Sequence, residues 1–285
     1  MSRTPSRPAA SAPRKDRRVS FLAARRRSPL ALLVLLFLGL TFTGTAYAAL
    51  QTNVPPGTSA EGASQEQIDE GRELFLGNCA SCHGENAEGN GEAGPSLYGV
   101  GAAAVDFQVA TGRMPLPAPT VQAKRNVSQV HFSDEQITAL AVYVDSLAPG
   151  PDVPEAQWLD TAEGDPANGG AVYRTNCAMC HNSSGTGGAL TRGKYAPTLM
   201  GVDEQHIYEA MLTGPQSMPV FNDQNITPEE KRDVIAFLKT IEDGANDQGG
   251  HTLGSLGPAG DALFAWTIGI LAFIGAAVWL GRKAA

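Results

Sequence analysis

Two uninterrupted apolar runs stand near the ends of the chain, and between them apolar positions recur at helical spacing. The runs cover residues 29–50 and 261–281. Each is about 20 residues long, the length that spans a bilayer's hydrocarbon core. The second carries no charge from Ala262 to Leu280, has Trp266 and Trp279 near its ends and is followed by Arg282 and Lys283, as a membrane-anchoring helix would be. The first follows Arg25, Arg26 and Arg27. Ala46-Tyr47-Ala48 has the small-residue form of a signal-peptidase site, and residues 30–40 would serve as the core of a secretory signal. The long basic leader, residues 1–28, and the length of the run favour a retained anchor instead. Between the runs, Ile137, Leu140, Ala141 and Val144 share one helix face, as do Val234, Ile235, Leu238 and Ile241. Ser133 with Gln136, and Thr227 with Glu230, read as capping boxes that open these two helices. Strand signals are almost absent. The fold class expected is all-α, with N- and C-terminal transmembrane helices flanking a helical middle.

The middle is duplicated. GRELFLGNCASCH at 71–83 and GGAVYRTNCAMCH at 169–181 align without a gap. Further on, Gly94-Pro95-Ser96-Leu97 matches Ala196-Pro197-Thr198-Leu199, and Thr111-Gly112-Arg113-Met114-Pro115 matches Thr213-Gly214 followed by Met218-Pro219. The changing offset marks loop insertions, chiefly the Pro-rich stretch 115–130 of the first copy. The expected domains are residues 66–148 and 165–243, joined by a Pro- and acid-rich linker at 149–164. A Gly-rich tether, 244–260, leads to the last span.

Charge adds a direction. The net charge is −8, which excludes nucleic-acid binding through bulk positive charge. Residues 1–50 hold nine Lys/Arg and one acid, whereas residues 51–260 carry a net −17. The positive-inside bias places residues 1–28 and 282–285 in the cytoplasm and the acidic middle on the extracytoplasmic side of the cell membrane.

All four cysteines lie in Cys79-Ala80-Ser81-Cys82-His83 and Cys177-Ala178-Met179-Cys180-His181. C-x-x-C-H is the pattern of covalent c-type haem attachment. Thiols three residues apart on one helical turn can both add to the haem vinyl groups, and the next residue sets an imidazole against the iron. A zinc site would want four closing ligands, and a redox dithiol a βαβ context; neither explains a histidine after both pairs. Two covalent haems c are expected, held by Cys79, Cys82, Cys177 and Cys180, with His83 and His181 as proximal ligands. Met114 and Met218 each follow a Thr-Gly and precede a Pro, and are the expected sixth ligands. Met200 and Met211 have no counterpart in the other copy, and Met179 lies inside a motif. His131, His206 and His251 also lack equivalents and read as surface or capping histidines. His/Met ligation favours the ferrous state and leaves no open coordination site, so the expected chemistry is single-electron transfer with no catalytic residues. The stretch 84–94 is a candidate haem-edge loop, since as a phosphate loop it lacks a Lys and a preceding strand.

GRELFLGNCASCHG with a later GRMP, and NCAMCHN with a later MPVF, resemble class I cytochrome c domains. The resemblance implies that each domain's first and last helices cross at a glycine and aromatics: Gly71, Phe75 and Tyr143, then Gly169, Tyr173 and Phe237. It also implies that the carbonyls of Pro95 and Pro197 orient the ligating histidines. The whole layout is similar to the dihaem cytochrome c subunit of actinobacterial cytochrome bc complexes. That resemblance implies a translocase subunit, electron transfer from a Rieske iron–sulfur subunit beside cytochrome b, and delivery to a haem–copper oxidase. A free-standing membrane-anchored carrier and, from another class, a haem-based sensor are the alternatives.

Overall fold

The computed structural model describes residues 29–51, 59–91, 93–118, 120–244 and 258–284. The basic leader, His251 and nearly all of the expected tether therefore lie outside the described residues. Residues 1–55 form one unit and residues 56–285 another. In the first unit, α1 spans Pro29–Gln51. Its threonines fold back on the helix, as Thr41 and Thr45 do on the carbonyls of Phe37 and Thr41, so their hydroxyls are satisfied within the helix. Its apolar side chains from Leu33 to Phe42 are exposed.

The second unit is built from two similar helical domains. In the first, α2 (Gln65–Asn78) runs into the single turn α3 (Ala80–His83), followed by α4 (Ala102–Ala110) and α5 (Asp134–Leu147). In the second, α6 (Pro166–Asn176), α7 (Ala178–His181), α8 (Glu204–Thr213) and α9 (Pro228–Glu242) repeat the order. Among the described residues the one departure from an all-α chain is a two-residue antiparallel pair in the second domain, β1 (Gly188–Ala189) on β2 (Tyr195–Ala196). It is too short for a period-2 pattern to announce it.

The helix starts follow from local chemistry. Ser133 and Gln136 cap α5 reciprocally, Gln136 N–H donating to Ser133 Oγ at 3.3 Å and Ser133 N–H to Gln136 Oε1 at 3.0 Å. Thr227 and Glu230 do the same for α9. A third box, Ser64 with Gln67, opens α2, and Asp165 caps α6 just before Pro166.

In each domain the first and last helices cross in contact. A Cβ on Gly71 would sit 2.0 Å from the Ala139 carbonyl oxygen, and one on Gly169 would sit 1.9 Å from that of Asp233. Only a residue without a side chain permits that approach. One turn on, Phe75 meets Tyr143 and Tyr173 meets Phe237, both with ring centroids 5.4 Å apart. These pairs anchor the two cores, Phe75, Leu140 and Val144 in one and Tyr173, Val234, Ile235 and Leu238 in the other. Burial of such side chains contributes about 1.5–3 kcal/mol each.

Residues 149–164 pack against both domains. Ala103 N–H donates to the Pro151 carbonyl at 3.0 Å, and Trp158 packs on the second core with the Arg232 guanidinium 5.8 Å from its ring. The chain ends in α10 (Pro258–Ala284). Its segment Gly260–Lys283 has mean hydropathy 2.1 and no buried share, and it is the one helix among the described residues long and apolar enough to cross a membrane. In α1 the strongly apolar stretch is shorter, Leu33–Thr45.

Candidate functional site

Each C-x-x-C-H motif sits at the break between two helices. Cys79 ends α2 and caps α3; Cys177 ends α6 and caps α7. The turn then closes on the first cysteine. Cys82 and His83 N–H groups donate to the Cys79 carbonyl at 3.1 and 3.0 Å, and Cys180 and His181 to that of Cys177 at 3.1 and 2.9 Å. The two thiols and the imidazole of each motif are thus gathered on one turn. Burial and the paired cysteine push the Cys79 and Cys177 thiols up to about 11, so both are neutral at pH 7.

The histidines are held by proline carbonyls. His83 Nδ1 lies 2.8 Å from the Pro95 oxygen and His181 Nδ1 lies 3.0 Å from the Pro197 oxygen. A carbonyl only accepts, so Nδ1 carries the proton and the lone pair stays on Nε2, the atom a metal would take. Burial lowers the pKa of His181, against the hydrogen bond to Pro197, which favours this neutral, ligating form. The loop behind the ring is equally matched. Gly89 and Gly187 N–H groups donate to the carbonyls of His83 and His181 at 2.7 and 2.9 Å. A Cβ on Gly94 would come within 3.0 Å of His83 Nδ1. The glycine-rich stretch 84–94 therefore wraps the first histidine.

In the second domain the motif opens on a cavity with ≈ 1320 Å³ of empty space, its solvent mouth included. Cys177, Cys180, His181 and Met218 all line it. Met211 and Leu238 supply apolar wall and are nearly inaccessible. Met179 also borders it, at the solvent edge, 92 % exposed. In the first domain Cys79 packs on the core of Phe75, Leu140 and Tyr143. Met114 is fixed through its backbone, its N–H donating to the Gln108 carbonyl at 3.0 Å, and is not among the side chains packed on that core.

The second cavity also contains residues that repeat alignment does not assign to it. Phe107, Arg113, Gln122, Ala123 and Arg125 of the first domain line it. The inserted stretch 115–130 carries three of them across. Gln122 pairs with both main-chain groups of Tyr195, donating to its carbonyl at 2.7 Å and accepting from its N–H at 3.0 Å. Ala123 N–H donates to Gln216 Oε1 at 3.2 Å, and Arg125 Nη2 to the Gly201 carbonyl at 3.2 Å. The insertion itself was the sequence signal.

Beside this contact, His206, expected as a surface or capping histidine, is half-buried in the first turn of α8. Its Nε2 lies 3.8 Å from Asp106 Oδ1 of the first domain, and its ring edges onto Phe107. Gln205 Nε2 bridges Asp106 and the fully buried Glu209 at 3.1 and 3.0 Å. Burial first, then the charge of Asp106, pushes the Glu209 carboxyl up to about 10.

These residues fit a covalently attached haem. Two thiols per turn, an imidazole with Nε2 free, a thioether on the same cavity and an apolar wall are the donors and surroundings such a group needs. The comparisons with known proteins agree. Residues 68–148 match the cytochrome c family model, and residues 164–238 match that of subunit III of cbb3-type cytochrome c oxidase. The chain is 43 % identical over 255 residues to the cytochrome bc1 complex cytochrome c subunit of Mycobacterium tuberculosis H37Rv, covering 88 % of this chain and 90 % of that one. It is 40 % identical over 262 residues to the subunit of the same name from Corynebacterium diphtheriae, covering 87 % and 92 %. A cbb3-type cytochrome c oxidase subunit of Sinorhizobium medicae is 37 % identical over 93 residues, 29 % of this chain.

Proposed function

The chain belongs to the family of cytochrome bc1 complex cytochrome c subunits, and on that premise we propose that it is a membrane-anchored dihaem relay between the Rieske protein of a menaquinol-oxidising complex and a haem–copper oxidase. Cys79 and Cys82 hold one haem c and Cys177 and Cys180 the other, each through two thioethers. His83 and His181 would hold the irons through Nε2, and Met114 and Met218 would supply thioether sulfurs as further ligands. When bound, each haem supplies one-electron chemistry at its iron. The chain's own part is to fix and insulate. The Pro95 and Pro197 carbonyls set the imidazole tautomer, and the Met sulfurs deny the irons an exogenous ligand. The apolar wall of Tyr173, Met211 and Leu238 excludes water. Both apolar helices are retained anchors, with the two domains on the extracytoplasmic side and cytochrome b, the Rieske subunit and oxidase subunits as neighbours. Within a quinol–cytochrome-c reductase the chain is the electron-transfer subunit. The first domain faces the oxidase and the second the Rieske protein.

The observation that carries this reading is the pairing, in both copies, of a closed C-x-x-C-H turn with a histidine held by a proline carbonyl. Mass spectrometry of the chain from its host should find two haem additions and no free thiol. Mild-detergent purification should bring down cytochrome b, the Rieske protein and haem a. Free thiols defeat the haem assignment; elution of the dihaem chain alone defeats the relay in favour of a free-standing carrier.

A further inference from the structure

The second cavity has a positive wall with no ion-pair partner among the described residues. Arg113 is 8 % exposed, and its Nη1 is buried without a hydrogen bond among the described residues. Its guanidinium stacks 4.5 Å from the centre of Phe107, which fixes the side chain but does not neutralise it. Arg125 lines the same cavity. Among the described residues neither guanidinium makes an ion pair. Two like charges, one of them buried, on the wall of an apolar cavity are costly without an anion. Nearby carboxyls do not serve. Asp106 is engaged by Gln205 and His206, and the Glu209 carboxyl, with its pKa near 10, is neutral at pH 7.

We infer that Arg113 and Arg125 of the first domain bind the propionate carboxylates of the haem in the second domain, so that the second site is complete only when the first domain is docked. The inference rests on the haem reading above. A haem c has two carboxylates and no other anionic group. The cavity that receives it offers two guanidiniums, whose forked donors suit carboxylates. The consequence is a covalent link between the sites. Arg113 faces the second cavity, and the next residue, Met114, is the ligand proposed for the first iron. The Gln122 and Gln216 contacts hold the insertion in place.

Redox titration of the full-length detergent-solubilised chain tests this. Potentials are assigned to domains with Met114→His and Met218→His reference chains, and haem content is checked first by mass. Fewer than two haems would fail the haem reading itself, not this inference. With two haems present, Arg113→Met should lower the second haem's reduction equilibrium about tenfold, or about 59 mV for one electron, because a cation beside the haem favours the reduced state. Arg113→Lys should restore most of it. Arg125→Gln, at an exposed position, should produce a smaller shift in the same direction. A shift confined to the first haem, or no shift at either haem in Arg113→Met and Arg125→Gln, overturns the inference. A loss of thermal stability with unchanged potentials does so too, since it would make Arg113 purely structural.

Discussion

The two domains share a helix crossing, a motif turn and a proline-held imidazole, yet they close their sites differently. In the second, both cysteines, the histidine and the methionine line one cavity, and part of its wall comes from the first domain. In the first, the chain that could have formed an equivalent wall, residues 115–130, is spent on its neighbour. Duplication therefore supplied two copies of the local chemistry, and an insertion in one copy made them interdependent. Loss of the first domain should open the second site.

The largest expected break in this comparison is loss of an attachment site. Cys177→Ser with Cys180→Ser should leave one haem per chain, read by mass. It should unfold the second domain at far lower denaturant, because the emptied cavity is walled by its core. Cys79→Ser with Cys82→Ser should also leave one haem, with a smaller effect on the other domain's melting. Next come the helix crossings. Gly71→Ala and Gly169→Ala each force a Cβ into a carbonyl about 2 Å away, and each should cost about 1–3 kcal/mol in denaturant unfolding of its own domain. Equal costs would show the crossings to be equivalent, and a larger cost at Gly169 would sharpen the contrast.

Smaller still is Gln122→Ala. It leaves the Tyr195 main-chain groups without their partner and should cost about 1–2 kcal/mol. The unfolding of the second domain should shift, not that of the first. Hydrogen exchange at the Tyr195 amide reads this directly. A separate effect is electrostatic and shows only as a pH dependence. Burial raises the pKa of both Asp106 and Glu209 in the folded chain, Glu209 to about 10. The folded chain then holds a proton that the unfolded chain gives up above about pH 4.5. The contribution is full below that pH and is lost as pH rises toward 10, at no more than about 1.4 kcal/mol per pH unit. Glu209→Gln, which mimics the protonated acid, should flatten the decline of Tm between pH 6 and 9.

Much of this was legible without coordinates. The capping boxes at Ser133 and Thr227, the Gly71 and Gly169 crossings, the Phe75–Tyr143 and Tyr173–Phe237 pairs and the roles of the Pro95 and Pro197 carbonyls all follow from motifs or their family likeness. The Ser64 box has the same S-x-x-Q spacing and is as legible. The short β1–β2 pair, the docking of residues 149–164 and the half-buried His206 were not legible, because nothing in their own neighbourhood demands them.

The amino-acid order by itself determined the chemistry: two thiols and an imidazole within five residues, a proline and a methionine downstream, and an apolar run of membrane length at the C-terminal end. These depend on spacing along a helix turn, which the backbone enforces locally. The tertiary structure alone decided which residues share a cavity across the domain boundary. Gln122 meets Tyr195 and Ala123 meets Gln216 across 73 and 93 residues of chain, and Arg113 reaches a cavity whose motif begins at Cys177. Such contacts arise from packing two folded surfaces, and no periodicity within either surface encodes which part of the other it will touch.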